Sequence, residues 1–193
     1  MNPNIIIILI SFSCGALSIL ALLRFMMQLA RVNVQNKAVL MVCRITDVYC
    51  FPLRKILPYY QHADFASFIM SVFMQALGFY LIYFLFATES PDIRTIATWS
   101  GIVVVGLFLK IYFMALLLMV IFSWVRPQGA SAIAELSNQL IEPLLRPFHK
   151  LVPPIAGMDF SPMALFFLVY LLQSVWRSTA AYLEVPLRIV FGV

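Results

Sequence analysis

A lysine in the middle of a long apolar run is the residue whose chemistry is least expected. Lys110 lies between Trp99 and Trp124, which we expect at the two membrane interfaces. At about 1.5 Å of rise per helical residue, Lys110 is roughly 16 to 21 Å from either tryptophan, too far for its stem to reach water. A charge at the bilayer centre costs roughly 2.5–3.5 kcal/mol on insertion scales, so this lysine marks a candidate functional position.

Two glutamines, Gln75 and Gln173, are predicted at similar depths in other spans. Together with Lys110 they form a candidate intramembrane polar core, because a buried polar group needs a hydrogen-bond partner. Three interpretations remain open. Lys110 is a structural hydrogen-bond anchor, or it meets an acidic residue of a partner or a second copy, or it lines a hydrated ion path.

Two carboxylates directly precede predicted helices. Asp64 and Asp159 stand at the starts of the second and fourth apolar stretches, and Ser161 and Pro162 follow the latter. A carboxylate at this position accepts hydrogen bonds from free N–H groups and faces the positive end of the helix dipole. Helix capping is therefore predicted for both residues, and contact with an ion is the alternative.

Basic residues gather at one predicted interface. This interfacial basic rim comprises Arg54, Lys55, Arg146, His149 and Lys150. Basic side chains near a membrane surface are attracted to anionic head groups by about 1 kcal/mol each. Docking of a cytoplasmic protein is the other interpretation of the rim.

The sequence carries no pattern typical of catalysis or of a cofactor. His62 and His149 both fall in connections between spans, so no histidine pair within the spans could hold a haem. There is no metal-ligand cluster, phosphate-binding glycine loop or nucleophile elbow. The scattered basic residues form no patch for nucleic acid. We therefore expect a protein that is not an enzyme and has no cofactor, metal site or nucleic-acid partner.

Composition places these residues in a membrane. Hydrophobic residues make up 63% of the chain and charged residues 11%, against roughly 45–50% and 25% in soluble domains. A hydrocarbon core about 30 Å thick needs roughly 20 apolar residues as a helix. Four stretches meet this requirement and predict an all-α membrane protein with four transmembrane helices, over Ile5 to Leu29, Phe65 to Ala87, Ile96 to Trp124 and Phe160 to Leu183.

The placement of charge predicts the orientation of the spans. Eight of the 13 Lys and Arg residues lie in the two long connections, between spans one and two and between spans three and four. The positive-inside rule puts both connections in the cytoplasm and both termini outside, in the periplasm.

The long connections are themselves predicted to be helical. In the second connection, apolar residues recur at spacings of three and four and form one helical stripe: Ile133, Leu136, Leu140, Leu144, Phe148 and Leu151. Pro143 and Pro147 argue against one unbroken helix. The pattern predicts two short pieces in the interface, with their apolar side in lipid. A helical cap over the spans is the alternative.

An internal repeat appears at an offset of 95 residues. Between residues 47–65 and 142–160, five pairs are identical: Pro52 and Pro147, Lys55 and Lys150, Pro58 and Pro153, Asp64 and Asp159, Phe65 and Phe160. Because two spans per unit keep the units parallel, we predict two tandem units, 1–95 and 96–193, related by a pseudo-twofold axis along the membrane normal. Each unit contains a proline-rich interfacial element, with structural bends predicted at Pro52, Pro58, Pro147, Pro153 and Pro154.

At these residues the chain resembles a known family. The run EPLLRPFHKLVPP, from Glu142 to Pro154, and the run GMDFSP over 157–162 resemble the signature of the YggT family, also called YlmG. The second unit matches this signature apart from His149, where an arginine is usual. The first unit is degenerate and has Tyr59 at the position of Pro154.

This resemblance implies a small bacterial inner-membrane protein, or a thylakoid one, without enzymatic activity. Relatives are tied to cell division, to plastid nucleoid distribution and to assembly of a haem-bearing cytochrome, and ion transport and osmotic tolerance have also been proposed. We therefore expect a scaffold or assembly factor that acts through its basic cytoplasmic elements. Its expected partners are membrane lipid and a membrane or cytoplasmic protein, or a second copy. The alternative is ion transport or osmotic-stress tolerance through a polar path near Lys110.

Overall fold

The computed structural model describes residues 3–57, 64–86, 91–125, 131–151 and 160–190, and these ranges fold as helices without a β-strand. The α-helices are α1 (Pro3–Leu29), α2 (Lys37–Ile56), α3 (Phe65–Phe86), α4 (Ile93–Val125), α5 (Ala132–Leu151) and α6 (Ser161–Tyr182). A short 3-10 turn follows at Leu187–Ile189.

Four of these helices are long and apolar enough to cross a membrane, over Pro3–Leu29, Phe65–Phe86, Ile93–Ser123 and Ser161–Tyr182. The prediction of a multi-pass helical membrane protein is confirmed, and the boundaries fall within a few residues of those expected. Both remaining long helices, α2 and α5, fall in the predicted long connections.

The spanning helices pack as two antiparallel pairs. Ser18 of α1 lies beside Ser71 of α3, with 2.9 Å between their hydroxyl oxygens. In the other pair, the indole N–H of Trp176 in α6 donates to the Ile102 carbonyl of α4 at 2.7 Å. A core of buried side chains then joins the two pairs, and includes Leu22, Met26, Val103, Leu107, Leu116 and Leu140.

The first turns of α2 and α5 meet at one end of the bundle. Asn36 caps α2, because its side-chain oxygen accepts from the N–H of Ala38 at 2.8 Å. Its amide nitrogen donates to the Ala132 carbonyl at 2.9 Å and to Glu135 at 3.2 Å. The two long connections therefore share one side of the molecule, as the charge pattern requires.

Pro143 and Pro147 lie inside one helix, so the prediction of two short pieces in the second connection is wrong. α5 is continuous through Pro143 and Pro147, and α2 likewise contains Pro52. All three prolines are on exposed faces, where the carbonyls that lose an N–H partner are not sealed in the core. The opposite face of α5 holds the helix against the bundle through buried Leu140, Ile141 and Leu145. The bends expected at Pro58, Pro153 and Pro154 lie outside the described residues.

The two interfacial helices, α2 and α5, differ in the side chains that they expose. α5 buries apolar residues and exposes polar ones, which fits the cap interpretation better than the embedded one. α2 also buries apolar residues, Val39 and Val42, beside Thr46 and Cys50. Its outer face, however, includes Met41, Val48 and Phe51, which are 61 to 81% exposed. Hydrocarbon solvates such an outer face better than water does. α2 is therefore the helix of the two that presents large apolar side chains on its outer face.

Candidate functional site

A buried arginine in α1 organises the end of the bundle that carries α2. The Arg24 side chain is 8% exposed, and its Nη1 atom lies 2.8 Å from Asp47 Oδ1. The same nitrogen donates to the Cys43 carbonyl at 2.8 Å and to the Thr46 hydroxyl at 2.6 Å. Because an arginine without partners is costly to bury, these contacts explain how α1 tolerates the charge.

A second arginine completes this network. Arg54 Nη1 donates to Asp47 at 2.6 Å, and its Nε donates to Asp64 Oδ2 at 3.1 Å. Arg24 Nε lies 3.5 Å from the same Asp64 oxygen. We call these four residues the Arg24 cluster: Arg24, Asp47, Arg54 and Asp64. Two cations and two anions give it no net charge, and it ties α1, α2 and the start of α3 together.

Asp64 also caps α3. Its Oδ1 accepts from the backbone N–H of Ser67 at 3.3 Å, and its Oδ2 accepts from the Ser67 hydroxyl at 2.7 Å. The carboxylate is 2% exposed, so capping and ion pairing together compensate for its burial. Asp159, the other predicted helix-start carboxylate, lies outside the described residues.

The contacts within the Arg24 cluster shift the pKa values of Asp47 and Arg54. Partial burial raises the pKa of Asp47, but hydrogen bonds and charges from Arg54 and Arg24 outweigh burial and hold the pKa below its ordinary value. Burial lowers the pKa of Arg54, and the bonds to Asp64 and Asp47 more than reverse this. Burial raises the pKa of the adjacent Cys50 thiol. All four cluster charges are thus engaged with one another, which suits a structural clamp.

The predicted basic rim is divided between several environments. Arg54 belongs to the Arg24 cluster and faces inward. Lys55 is exposed, with its ammonium 4.7 Å from the centroid of the Phe51 ring. Three further basic residues are exposed on α5: Arg146, His149 and Lys150. Arg146 donates to Glu142 at 2.9 Å, and the two side chains remain 72% and 58% exposed.

We define the α5 outer face by its exposed polar residues, which are Asn138, Glu142, Arg146, His149 and Lys150. Since α5 is fixed to the bundle through its buried face, these side chains are presented at set positions on a rigid helix. The ion pair between Glu142 and Arg146 on this face is one that solvent screens.

The structure places the three members of the predicted polar core apart. Gln75 is 5% exposed and lines a small cavity beside Ser11 and Cys14. The Gln173 amide donates to the Leu109 carbonyl at 3.4 Å. Lys110 is exposed and lines a groove between α1, α4 and α5. Among the described contacts, none joins any two of the three.

Sequence reasoning missed Arg24 and the polar seam between α1 and α3. The seam comprises Ser11, Ser18, Ser71 and Gln75, and the Ser18 hydroxyl also contacts the Ser71 carbonyl at 3.0 Å. Helices come close here, because a Cβ placed on Gly78 would lie 3.1 Å from the Cys14 Cβ. The available signals were an arginine within an apolar span and small residues at intervals of three and four.

Comparison with known proteins identifies a family and several relatives. A family model described as CCB3/YggT matches residues 98–180. An uncharacterised protein of Pseudomonas aeruginosa is 36% identical over 156 residues, which cover 80% of this chain and 79% of the relative. The uncharacterised protein YggT of Escherichia coli K12 is 32% identical over 170 residues, covering 88% of each chain. No solved structure matches.

Proposed function

Because the chain belongs to the CCB3/YggT family, we propose that it is a non-enzymatic scaffold of the bacterial inner membrane. In this proposal the α5 outer face docks a partner protein at the cytoplasmic surface. The Arg24 cluster and the helix pairs supply the rigid platform that presents this face.

The helix boundaries support a platform of two tandem units. α2 spans Lys37–Ile56 and α5 spans Ala132–Leu151, so both ends are displaced by the 95 residues of the sequence repeat. Asn36 caps the first helix and the Ser131 hydroxyl accepts from the Ala134 N–H at 3.4 Å, again 95 residues apart. We infer two parallel units, 1–95 and 96–193, each built from two spans and a proline-containing interfacial helix.

The observation that carries the proposal is the different use of charge in the two units. In the first unit Arg54 pairs with Asp47 and with the buried Asp64. In the second unit Arg146 pairs with Glu142 through side chains that are 72% and 58% exposed, and Lys150 is exposed. The position 95 residues after Arg24 is Met119, so the second unit lacks the buried arginine that would draw carboxylates inward. Arg146 and Lys150 lie at the surface of α5, where they can meet a molecule outside this chain.

The charge distribution also supports an orientation. The α2 and α5 end of the bundle carries most of the basic residues and would face the cytoplasm. Both termini then lie in the periplasm, because four spans return the chain to its starting side.

The test compares two doubly substituted proteins that lose the same charge on the same side of the bundle. Arg146→Ala with Lys150→Ala removes charge from the α5 outer face. Lys37→Ala with Arg44→Ala removes two exposed charges from α2. We would purify each from membranes in mild detergent and quantify co-purifying proteins against the wild type.

A partner lost about tenfold or more in the α5 variant, yet retained by the α2 variant, is the expected result. Equal loss from both variants would indicate general attraction to anionic head groups and would contradict the docking proposal.

Ion passage is the second candidate function, and the polar seam between α1 and α3 favours it more than the surroundings of Lys110 do. Ser11, Gln75, Ser18 and Ser71 follow one another along the buried contact between the two spans. The cavity beside Gln75 holds only about 10 Å³, roughly the space of one water. Salt flux in liposomes that Ser71→Leu abolishes, with matching loss of osmotic tolerance in cells, would favour this candidate over docking.

A further inference from the structure

An apolar groove opens on the outside of the bundle between α1, α4 and α5. Its volume is about 470 Å³, and its walls include Ile19, Leu23, Leu107, Met114, Leu118 and Leu140. Lys110 is the one charged residue among those that line it. The groove therefore combines a surface suited to an apolar occupant with a single cation.

The cation lies far from either end of its helix. Lys110 is 17 residues after the first residue of α4 and 15 before the last, which corresponds to roughly 25 and 22 Å along the axis. From there the groove runs past Leu118 to α5, at the bundle end. An occupant would thus lie along the membrane normal, with its counter-charge near the bilayer centre.

Two familiar occupants do not supply an anion at this depth. A phospholipid can lay an acyl chain along the groove, but its phosphate stays at the interface, roughly 15 Å from the bilayer centre. A second copy of the chain has no Asp or Glu within the described spanning helices; Asp64, Asp92 and Glu184 all lie outside them.

We propose that the groove binds a transmembrane helix of a different protein, one that carries Asp or Glu near the middle of its span and pairs that carboxylate with Lys110. A charged side chain without a partner is costly in hydrocarbon, so a carboxylate that faces Lys110 would favour its helix over helices that only pack against the groove. This inference goes beyond the proposed function, because it concerns a different surface and holds whether or not the α5 outer face binds anything.

The test uses defined probe helices. Synthetic 23-residue Leu/Ala transmembrane peptides would carry Asp, Asn or Leu at the central position, and each would be reconstituted in liposomes with the purified full-length protein. Fluorescence energy transfer between a label on the peptide and one on the protein reports association. The central-Asp peptide should bind at least tenfold more tightly than the central-Leu peptide, and more tightly than the Asn peptide.

Substitutions in the groove separate charge pairing from other causes. Lys110→Met should erase the preference for Asp, and Lys110→Glu should transfer it to a central-Lys peptide. Val105→Met is the matched control, since Val105 is an exposed residue of α4 outside the groove lining. Leu136→Trp fills the groove while keeping Lys110, and should weaken binding of every peptide.

Three results would overturn the proposal. The first is equal binding of the Asp and Leu peptides to the wild type. The second is a preference for Asp that survives Lys110→Met. The third is Lys110-dependent energy transfer between two copies of the protein with no peptide present, which would make a second copy the occupant.

Discussion

Arg54 in α2 and Asp64 before α3 are joined through a single carboxylate oxygen, which accepts from both Nε, at 3.1 Å, and Nη2 of the guanidinium. The sequence suggested separate roles for these residues, one as a head-group contact and the other as a helix cap. Their pairing fixes an interfacial helix to the first turn of a span. Asp64 is 2% exposed and Arg54 20%, so water screens this pair little.

Breaking this pair on one side should destabilise the protein more than removing both partners. Arg54→Leu leaves Asp64 buried with one cation fewer, and we expect a loss of roughly 3 kcal/mol, the lower end for a buried pair. Adding Asp64→Asn to the Arg54→Leu protein should restore part of the lost stability, because the buried negative charge is then removed. Arg44→Leu, an exposed residue of the same helix, is the control. Thermal unfolding in detergent measures all four proteins, and an Arg54→Leu protein as stable as the control would contradict the clamp.

Arg24→Met tests which carboxylate, Asp47 or Asp64, needs the Arg24 charge to remain ionised without loss of protein stability. The substitution introduces the residue that stands 95 positions later, at Met119, and should lower the melting temperature by several degrees. Asp64→Asn in this background should recover more stability than Asp47→Asn, because Asp64 is 2% exposed and Asp47 56%. If both double variants regained the same melting temperature, burial of the carboxylate would not determine how much stability the loss of Arg24 costs.

Acid should weaken the Arg24 cluster through Asp47. Its pKa lies below the ordinary value of 3.8 in the folded protein, so its stabilising effect is complete above that pH and is lost as the pH falls further. Because this side chain is more than half exposed, solvent limits the contribution to a few tenths of a kcal/mol. The melting temperatures of wild type and Asp47→Asn should differ at pH 7 and converge below about pH 4. If the difference in melting temperature between the two proteins grew as the pH fell, the prediction would be contradicted.

Orientation can be measured with single cysteines in a background free of Cys14, Cys43 and Cys50. Pro91→Cys lies before α4 and Asn138→Cys lies on the α5 outer face, so we expect labelling from opposite sides. A membrane-impermeant maleimide applied to intact cells and to inverted vesicles distinguishes the two sides. Labelling of both positions from one side would exclude the four-span arrangement.

The spans were predictable because their signal is local. Length and hydropathy are properties of one stretch of chain, and the boundaries of α3 and α6 fall close to those expected. Pro143 and Pro147 show where a local rule fails: tertiary packing of Leu140, Ile141 and Leu145 keeps the helix whole around them. The helix-breaking tendency of the two prolines is thus outweighed by tertiary contacts, which the sequence of this segment alone does not reveal.

The candidate site was less predictable, because depth in a membrane does not determine the direction in which a side chain points. Gln75 faces α1, and Lys110 faces a groove on the other side of α1. The pairing of Arg24 with Asp64 joins residues 40 positions apart and depends on the crossing of α1 and α3. The burial of Thr46 in α2 makes sense only once Arg24 is known to donate a hydrogen bond to it.

Site-specific photocrosslinking in living cells tests the docking proposal most directly. A photoreactive residue would replace Asn138 or Glu142 on the α5 outer face, and Met41 or Val48 on the exposed apolar side of α2. The proposal predicts a discrete protein adduct from both α5 positions and none from the α2 positions, which face lipid. Adducts confined to α2, or the absence of any protein adduct from α5, would contradict the claim that this face is where the protein meets its partner.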